Sequence, residues 1–206
     1  MTARVSGTEG YGETADERVK QYESLAFADV HRDMLHLFPA RPSRIIDIGA
    51  GTGRDAAGFA ELGHTVTAVE PTQELLAHAR RLHRQPSITW IDDSLPELDR
   101  VHASGERYDL VMLTAVWMHL DRTQRERAMA RVVALLRPRG LMALSLRHGP
   151  VPPGRRMFEV TSAETRALAE RRGLATVHDS ERPALLGGPS VWWSRLAFRA
   201  PDQIKC

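Results

Sequence analysis

Three glycines and one acid fall at alternate positions between Asp47 and Gly53, in the segment DIGAGTG. Glycines permit a tight turn and let a ligand approach the backbone closely. The segment follows an apolar run and precedes a helical pattern, so the free N–H groups of a helix N-terminus would lie beside the ligand. Asp47 can order this loop and help attract an ammonium group. The combination suits a ligand with an amino-acid part rather than a pyrophosphate alone.

A second class of cofactor fits the same glycines. The residues from Gly51 to Ala56 also satisfy the relaxed dinucleotide pattern G-x-G-x-x-A. Glu70 ends the next predicted strand, where an acid can hold a ribose in either kind of cofactor. The glycine motif by itself therefore leaves two alternatives open, a dinucleotide such as NAD and an adenosyl amino acid.

Three features further along the chain help to choose between these alternatives. Asp92 and Asp93 directly follow the third predicted strand, where an acid can accept a hydrogen bond from an adenine amino group. A fourth apolar run, YDLVMLT, leads into Trp117 and His119. The phrase LLRPRGLMALSL then joins the end of a helix to a fifth strand.

With these blocks in this order, residues 41–147 resemble the class I (Rossmann-like) methyltransferases that depend on S-adenosylmethionine. DIGAGTGRDA resembles the first motif of that family, TAVEP its second and IDDSLPEL its adenine-contacting segment. YDLVMLTAVWMHL resembles its fourth strand and LLRPRGLMALSL the approach to its fifth. The resemblance implies an enzyme that binds S-adenosyl-L-methionine and transfers its methyl group.

The resemblance also implies contacts for individual residues. The three glycines would face the methionine and ribose portions, and Glu70 would hold both ribose hydroxyls. Asp93, with Ser94 beside it, would face the adenine, and Asp92 is the alternative within the doublet. For either aspartate an ordinary turn or helix cap is the competing role. The cofactor-binding residues predicted are Asp47, Gly49, Gly51, Gly53, Glu70, Pro71, Asp92, Asp93, Ser94, Leu113, Thr114 and Tyr22.

Leu113 and Thr114 would line the floor under the sulfonium, although core packing is the ordinary role of a leucine in a buried strand. In resembling proteins an N-terminal helix often covers the cofactor. Tyr22 and Tyr11 could reach the site from such a lid, and packing on the helix or surface is the alternative for both. We assign Tyr22 to the cofactor and Tyr11 to the substrate.

Ligands of open parallel sheets bind outside the carboxyl ends of the strands, which places four further residues on the substrate side. Trp117 could supply an aromatic wall or pack under the next helix. Arg147 could bind a substrate anion or form a salt bridge on the rim. Methyl transfer is an in-line displacement, so positioning dominates and a base is needed only when the nucleophile must lose a proton. His119 and His148 are the candidate bases, with a structural role as the alternative for His119.

These residues require strands that alternate with helices, and the pattern supplies them. Apolar runs predict strands over 44–49, 65–70, 87–91, 108–114, 141–146, 174–179 and 191–199. Helical periodicity and caps predict helices over 16–38, 53–62, 71–84, 121–137 and 161–172. Because no helix separates the last two strands, we expect an α/β, doubly wound, mostly parallel seven-stranded sheet with an antiparallel C-terminal edge hairpin and helices on both faces.

The length of 206 residues suits one domain with a full core. We predict a single domain over 1–206, with an N-terminal helical lid (1–40), a cofactor-binding core (41–147) and a substrate-side part with the closing strands (148–206). The single cysteine, Cys206, excludes an internal disulfide, and the N-terminus has no apolar signal-peptide core, so we expect a cytoplasmic protein. No apolar run is long enough to cross a bilayer.

The net charge of +2 gives no reason to expect a nucleic-acid partner. Arginines cluster over 80–84, 122–131 and 155–156, but most fall among glutamates on predicted helix faces, as solvated surfaces do. A small molecule is the predicted substrate, because no separate recognition domain remains once the sheet is built. An RNA or protein methyltransferase, or an NAD enzyme, is the alternative, and the sequence leaves the methylated atom and the oligomeric state open.

Overall fold

The computed structural model describes residues 5–186 and 188–203, and Cys206 lies outside them. The strands of the described residues are β1 (Arg44–Ile48), β2 (Thr65–Val69), β3 (Ile88–Ile91), β4 (Tyr108–Leu113), β5 (Leu136–His148), β6 (Ala175–Pro183) and β7 (Trp192–Arg199). They form one sheet in the order β3-β2-β1-β4-β5-β7-β6. Pairing is parallel from β3 through β5, and β7 runs antiparallel to both β5 and β6. The predicted doubly wound sheet with a C-terminal antiparallel hairpin is confirmed.

Helices cover both faces of the sheet. Those of the described residues are α1 (Ala15–Glu23), α2 (Phe27–His31), α3 (Arg54–Glu61), α4 (Gln73–Leu82), α5 (Asp99–Ala103), α6 (Arg122–Ala134) and α7 (Ser162–Arg171). Short 3₁₀ turns add Leu35–Leu37 and Trp117–His119. Helix α6 begins with the predicted cap: Asp121 accepts a hydrogen bond from the Gln124 amide, and the Gln124 side chain accepts one in return.

Consecutive residues of the central strands pack into different hydrophobic cores. Ile46 and Val111 belong to the core under α6 and α7, whereas Ile45 and Leu110 belong to the core that contains Phe59 of α3. Successive side chains of a strand point to opposite faces, so the two cores lie on the two sides of the sheet. The central strands are consequently apolar on both faces, which is why their sequences lack polar alternation.

The continuous N-terminal helix predicted over 16–38 is wrong. The chain forms α1, then α2, then a 3₁₀ turn, with extended backbone at Ala26 between the helices. The two helices are bound to different parts of the molecule. Glu23 at the end of α1 accepts a hydrogen bond from Thr52, while Phe27 at the start of α2 packs edge-on against Phe59 with ring centroids 4.8 Å apart. These tertiary contacts override the apolar periodicity.

The junction before the fifth strand also differs from prediction. The helix expected to reach Arg137 ends at Ala134, and β5 begins at Leu136 rather than at Leu141. Leu136 pairs with Tyr108 in the parallel ladder, and the residue before Pro138 is biased away from helical backbone. Sequence reasoning also missed α5, which is a single short turn of helix between β3 and β4.

The carboxyl ends of the parallel strands open onto one edge of the sheet. The glycine loop follows β1, Glu70 follows β2, the aspartate doublet follows β3, and Thr114 follows β4. The folded N-terminal segment 5–14 lies across the same edge, because the Tyr11 hydroxyl lies 3.0 Å from His119 and Arg155 donates hydrogen bonds to Glu9 and Thr14. Among the described residues, no helix has the length and apolar character to span a membrane.

Candidate active site

A cavity of about 800 Å³ lies at this edge of the sheet. Its walls come from the glycine loop, from the residues after β2, β3 and β4, from β5 and β7, and from the N-terminal segment. This volume lies within the range of roughly 300–1,000 Å³ that pockets for small molecules and cofactors span. Of the predicted site residues, the cavity is lined by Tyr11, Tyr22, Asp47, Gly49, Gly51, Glu70, Pro71, Asp93, Ser94, Thr114, His119 and Arg147.

The three glycines have different physical reasons to be glycine. All adopt positive φ, at +72° for Gly49, +58° for Gly51 and +92° for Gly53. A Cβ on Gly49 would lie 2.4 Å from Val116, and one on Gly53 would lie 2.5 Å from Trp90. A Cβ on Gly51 would meet no atom within 4 Å. Gly51 therefore presents open backbone to the cavity, whereas Gly53 packs against Trp90 and does not line it.

Asp47 is a buried carboxylate without a hydrogen bond. It lies at the end of β1 with 1% of its surface exposed, and neither of its oxygens has a hydrogen-bond partner within the described residues. Burial and the neighbouring Asp55 raise its pKa, while Arg54 and the nearby Ala56 amide, which does not reach hydrogen-bonding geometry, offset this rise only in part. An unpaired buried charge is costly, so this position fits a cationic group of a ligand, such as the ammonium of an amino acid.

Glu70 connects the glycine loop to the segment after β2. One carboxylate oxygen accepts a hydrogen bond from the Gly51 amide at 2.9 Å, and the other accepts one from the Thr72 amide at 2.8 Å. Burial raises its pKa, and these hydrogen bonds oppose that rise. Glu70 lines the cavity, and each of its carboxylate oxygens can accept a second hydrogen bond, which suits the hydroxyls of a ribose.

The aspartate doublet after β3 divides between two roles. Asp93 accepts hydrogen bonds from the Ser94 amide at 2.8 Å and from the Val101 amide at 3.0 Å, and it lines the cavity. Asp92 instead lies outside the cavity lining, with Arg100 at 3.7 Å. The structure thus brings Asp93 and Ser94 to the cavity, and Asp93 also performs the turn-fixing role that was its competing interpretation.

The floor of the cavity contains a buried polar network that sequence reasoning missed. Asp55 binds His31 at 2.9 Å, Arg54 at 2.8 Å and the Thr114 hydroxyl at 2.7 Å. Burial alone would raise the pKa of Asp55, but His31 and Arg54 hold it below its ordinary value. Leu113 is fully buried in the core instead of lining this floor. The signal for Asp55 was present in its position inside the first turn after the glycines.

His119 makes a hydrogen bond with each ring nitrogen. Its Nδ1 lies 2.8 Å from the carbonyl oxygen of Arg156, which can only accept, so Nδ1 carries the proton. Nε2 then accepts from the Tyr11 hydroxyl at 3.0 Å. Burial lowers the pKa of His119, so the imidazole is neutral at pH 7. Burial raises the pKa of Tyr11, and Tyr22 adds to this effect.

Two predicted substrate-side residues lie elsewhere. Trp117 is fully buried in the core under α6, the alternative that its sequence position left open. His148 stacks on Trp192 with ring centroids 3.7 Å apart and shares a hydrogen bond with the Ser194 hydroxyl, outside the cavity lining. The place of His148 follows from the strand period, because it is one residue beyond Arg147 and therefore points to the other face of the sheet.

Arg155 secures the N-terminal segment over the cavity, and sequence reasoning placed it only in a surface cluster. Its guanidinium donates to the Glu9 carbonyl at 3.2 Å and to the Thr14 hydroxyl at 3.0 Å. The same group lies 3.5 Å from the ring centroid of Tyr11. The loop before α7 therefore fixes the residue that contacts His119.

Comparison with known proteins agrees with this geometry. Residues 45–140 match the family model described as a methyltransferase domain. A malonyl-[acyl-carrier protein] O-methyltransferase from Halalkalibacterium halodurans is 28% identical over 154 residues, covering 71% of this chain and 55% of that protein. A glycine N-methyltransferase from Mus musculus is 26% identical over 135 residues, covering 56% and 46%. The chain thus spans about half the length of these relatives.

A solved structure is similar over nearly the whole chain. It is the Burkholderia thailandensis 1,6-didemethyltoxoflavin-N1-methyltransferase, with 1,6-didemethyltoxoflavin and S-adenosylhomocysteine bound. Its TM-score is 0.72 at 25% identity, covering 93% of this chain and 86% of that one. The chain thus contains a methyltransferase domain of class I, the class that uses S-adenosylmethionine as cofactor. The sequence-based assignments of family and cofactor are confirmed.

Proposed function

We propose that the protein transfers the methyl group of S-adenosylmethionine to a small molecule bound in the cavity. The observation that carries this proposal is one continuous cavity, which extends from the glycine loop to β5 and β7 and is overlain by the N-terminal segment. A covered space admits a small acceptor more readily than a folded macromolecule. The similar Burkholderia enzyme, crystallised with 1,6-didemethyltoxoflavin, supports a small acceptor.

The carboxylate half of the cavity, Asp47, Glu70 and Asp93, would hold the cofactor. Asp47 would face its ammonium group and Glu70 its ribose, while the open backbone at Gly51 leaves room for close approach. Asp93 and Ser94 would face the adenine. Tyr22, Pro71 and Thr114 line the rest of the cofactor side of the cavity, and we propose that all three contact the cofactor.

S-adenosylmethionine, when bound, supplies an activated methyl carbon, so the protein has to align the acceptor and exclude water. The N-terminal segment serves the second task, because Arg155 fixes it over the opening. Thr114, bonded to the buried Asp55, fixes the floor beneath the reacting atoms. Positioning therefore accounts for most of the proposed catalysis.

For acceptors that must lose a proton, we propose that Tyr11 and His119 act together. The Nε2 atom of His119 is already occupied by the Tyr11 hydroxyl, so it has no free position for a substrate proton. Tyr11 lines the cavity, and we propose that its hydroxyl oxygen receives that proton while its own proton passes to Nε2. His148 has no part in this pathway, since it lies outside the cavity lining.

The surface arginines support a small-molecule acceptor rather than nucleic acid. On α6, the exposed Arg127 pairs with Glu97 at 3.3 Å and Arg131 with Asp99 at 3.2 Å. Arginines that already pair with carboxylates offer little charge to a phosphate backbone. A cytoplasmic location is also part of the proposal and rests on the presence of only one cysteine in the chain.

Two measurements test the proposed function. Calorimetry with S-adenosylhomocysteine and NAD should show binding of the first and weaker or no binding of the second. Transfer of labelled methyl groups to a metabolite extract, separated from macromolecules by filtration, should label the small-molecule fraction. Label found only in protein or RNA would contradict a small acceptor, and tighter binding of NAD would contradict the cofactor assignment.

A further inference from the structure

The β7 side of the cavity contains an arginine, Arg195, whose guanidinium lies 5.6 Å from the centre of the Trp193 ring. Arg195 on β7 has 4% of its surface exposed and lines the cavity. Its Nε and Nη1 atoms are buried without a hydrogen-bond partner, and it forms no ion pair within the described residues. A guanidinium has five donors and is always charged near neutral pH, so these donors need an acceptor.

The nearest acids do not supply that acceptor. Asp55 is already bound to His31, Arg54 and Thr114. Asp33 forms its ion pair with Arg182, at 3.2 Å. A buried charge without a counter-ion is costly, and the protein offers none here among its described residues.

Two neighbouring arginines, Arg182 and Arg147, add to the positive charge of the cavity wall around Arg195. Arg182 on β6 donates to the carbonyl oxygens of Asp29 and Val30 and so fixes α2. Burial, followed by repulsion from Arg182, lowers the pKa of Arg195 to about 10, which still leaves it cationic at neutral pH. Arg147 donates to the Pro150 carbonyl and forms no ion pair with a carboxylate within the described residues.

The strand register places these groups on one wall. Arg195 pairs with Ser145, and Trp193 with Arg147, in the antiparallel ladder between β5 and β7. Directly opposed residues of an antiparallel pair share a face of the sheet, and all four line the cavity. The arginine half of the cavity, Arg147, Arg182 and Arg195, therefore lies beside the indole of Trp193, with Leu185 and Leu186 also in the lining.

We infer that the methyl acceptor is an organic acid whose anionic group binds the guanidinium of Arg195. This inference rests on the proposed function and adds the substrate class. An anion would be repelled by Asp47 and Glu70 at the carboxylate half and attracted to the arginine half, so the charge pattern orients the two ligands in the cavity. Trp193 and the two leucines would contact an apolar or aromatic body attached to the acid.

The test compares acids with their uncharged amides in the presence of saturating S-adenosylhomocysteine. Benzoate and benzamide form one pair, indole-3-acetate and indole-3-acetamide a second, and inorganic phosphate is a further probe. Binding is measured by thermal shift and calorimetry for wild type, Arg195→Gln, Arg195→Lys and Arg199→Gln. Arg199 is the matched control, because it lies on the same strand outside the cavity lining and donates to the Arg139 carbonyl.

We expect at least one acid to bind wild type and Arg199→Gln, while its amide does not. Arg195→Gln should weaken that acid about tenfold or more, and Arg195→Lys should retain part of the affinity. S-adenosylhomocysteine should bind all four proteins equally, which also shows that the variants are folded.

Three results would overturn the inference. Equal binding of acid and amide would remove the need for an anion, and binding of phosphate alone would exclude an organic acid. A loss of S-adenosylhomocysteine affinity in Arg195→Gln, with acids unaffected, would assign Arg195 to the carboxylate of the cofactor instead. Failure of wild type to bind S-adenosylhomocysteine at all would contradict the proposed function itself, independently of Arg195.

Discussion

The two halves of the cavity differ in charge and in how their charges are satisfied. In the carboxylate half, Glu70 and Asp93 accept hydrogen bonds from backbone amides of their own or adjoining loops. In the arginine half, Arg147 and Arg182 donate to carbonyl oxygens, while Arg195 has unpartnered donors. The hydrogen bonds of the carboxylate half are therefore nearly all formed without a ligand, whereas those of the arginine half are not.

Each half nevertheless keeps one unpartnered buried charge, Asp47 in the first and Arg195 in the second. These two groups have opposite sign and line the same cavity, yet they do not form an ion pair with each other. A cavity that only had to be stable would gain from bringing them together. Their separation is what two ligands of different charge, held side by side, would require.

The largest expected effect concerns proton transfer at the acceptor. His119→Ala should lower turnover by about 10²–10⁴-fold for an acceptor that must lose a proton, the usual contribution of a needed base. His148→Ala should leave turnover nearly unchanged, because His148 lies outside the cavity lining. The measurement is steady-state kinetics with the acceptor found by the labelling screen, together with the affinity for S-adenosylhomocysteine.

The pH profile gives an independent check of this role. Because burial lowers the pKa of His119, the neutral form persists to more acid pH than for a free histidine. Activity should therefore stay constant as pH falls through 6.5 and decline only below it. If His119→Ala turns over as fast as His148→Ala, catalysis needs no base and positioning of the acceptor suffices.

The second effect tests the loop on the cofactor side. The Gly49→Ala substitution places a Cβ 2.4 Å from Val116, on a residue whose φ is positive. We expect a loss of about 2–4 kcal/mol in the free energy of unfolding, from left-handed backbone and overpacking together. Gly63→Ala is the matched control, since it has φ +85° and no atom within 4 Å of its Cβ. It should lose only about 1 kcal/mol.

Urea unfolding of both glycine variants measures this difference. S-adenosylhomocysteine affinity should fall for Gly49→Ala and not for Gly63→Ala. Equal losses of stability in the two variants would mean that the loop near Val116 adapts freely, which would contradict a rigid cofactor loop.

The sequence predicts the carboxylate half more fully than the arginine half. The difference follows from how far apart in the chain the interacting residues lie. Asp47, Gly51, Glu70 and Thr114 all line the cavity, because each lies at or just beyond the carboxyl end of a parallel strand and such ends share one edge of the sheet. Arg195 could not be found in this way. Its place depends on the pairing of β5 with β7, and on acids that are bound elsewhere, neither of which the local pattern contains.

The N-terminal segment shows the same limit. Apolar spacing predicted one helix, but the contacts of Phe27 with Phe59 and of Glu23 with Thr52 divide it into two. The predicted partner of Tyr11 was a substrate, whereas the structure also gives it His119 and Arg155. Local periodicity carries no information about which loop a segment will meet.

The third effect concerns the ribose contact. Glu70→Ala should weaken S-adenosylhomocysteine by about 1–3 kcal/mol, or roughly 5- to 150-fold, because hydrogen bonds to the ribose and to the Gly51 amide are lost together. Glu106→Ala is the control, because Glu106 lies outside the cavity lining and pairs with Arg44 at the surface. Calorimetry that finds equal affinity for both variants would exclude Glu70 from the cofactor site.

The smallest effect separates function from stability at Asp47. Burial raises its pKa in the folded state, so the folded protein holds a proton that the unfolded chain releases as pH rises. The contribution of Asp47 to stability is therefore greatest below its ordinary pKa of 3.8 and is lost as pH rises through the folded pKa. The Asp47→Asn substitution removes this loss of stability, because the amide does not ionise. We expect the ligand-free variant to gain about 1 kcal/mol of stability at neutral pH, with the gain shrinking toward pH 4.

The same variant should bind S-adenosylhomocysteine several-fold more weakly, because an amide cannot balance an ammonium group. Urea unfolding at pH 5 and pH 8, with calorimetry at pH 8, measures both changes. Asp92→Asn is the control, since Asp92 lies outside the cavity lining and has Arg100 at 3.7 Å. A gain in stability joined to a loss of affinity identifies a charge kept for a ligand. A loss of stability with normal affinity would instead make Asp47 a structural residue of the loop, and the contrast between the two halves would then rest on Arg195 alone.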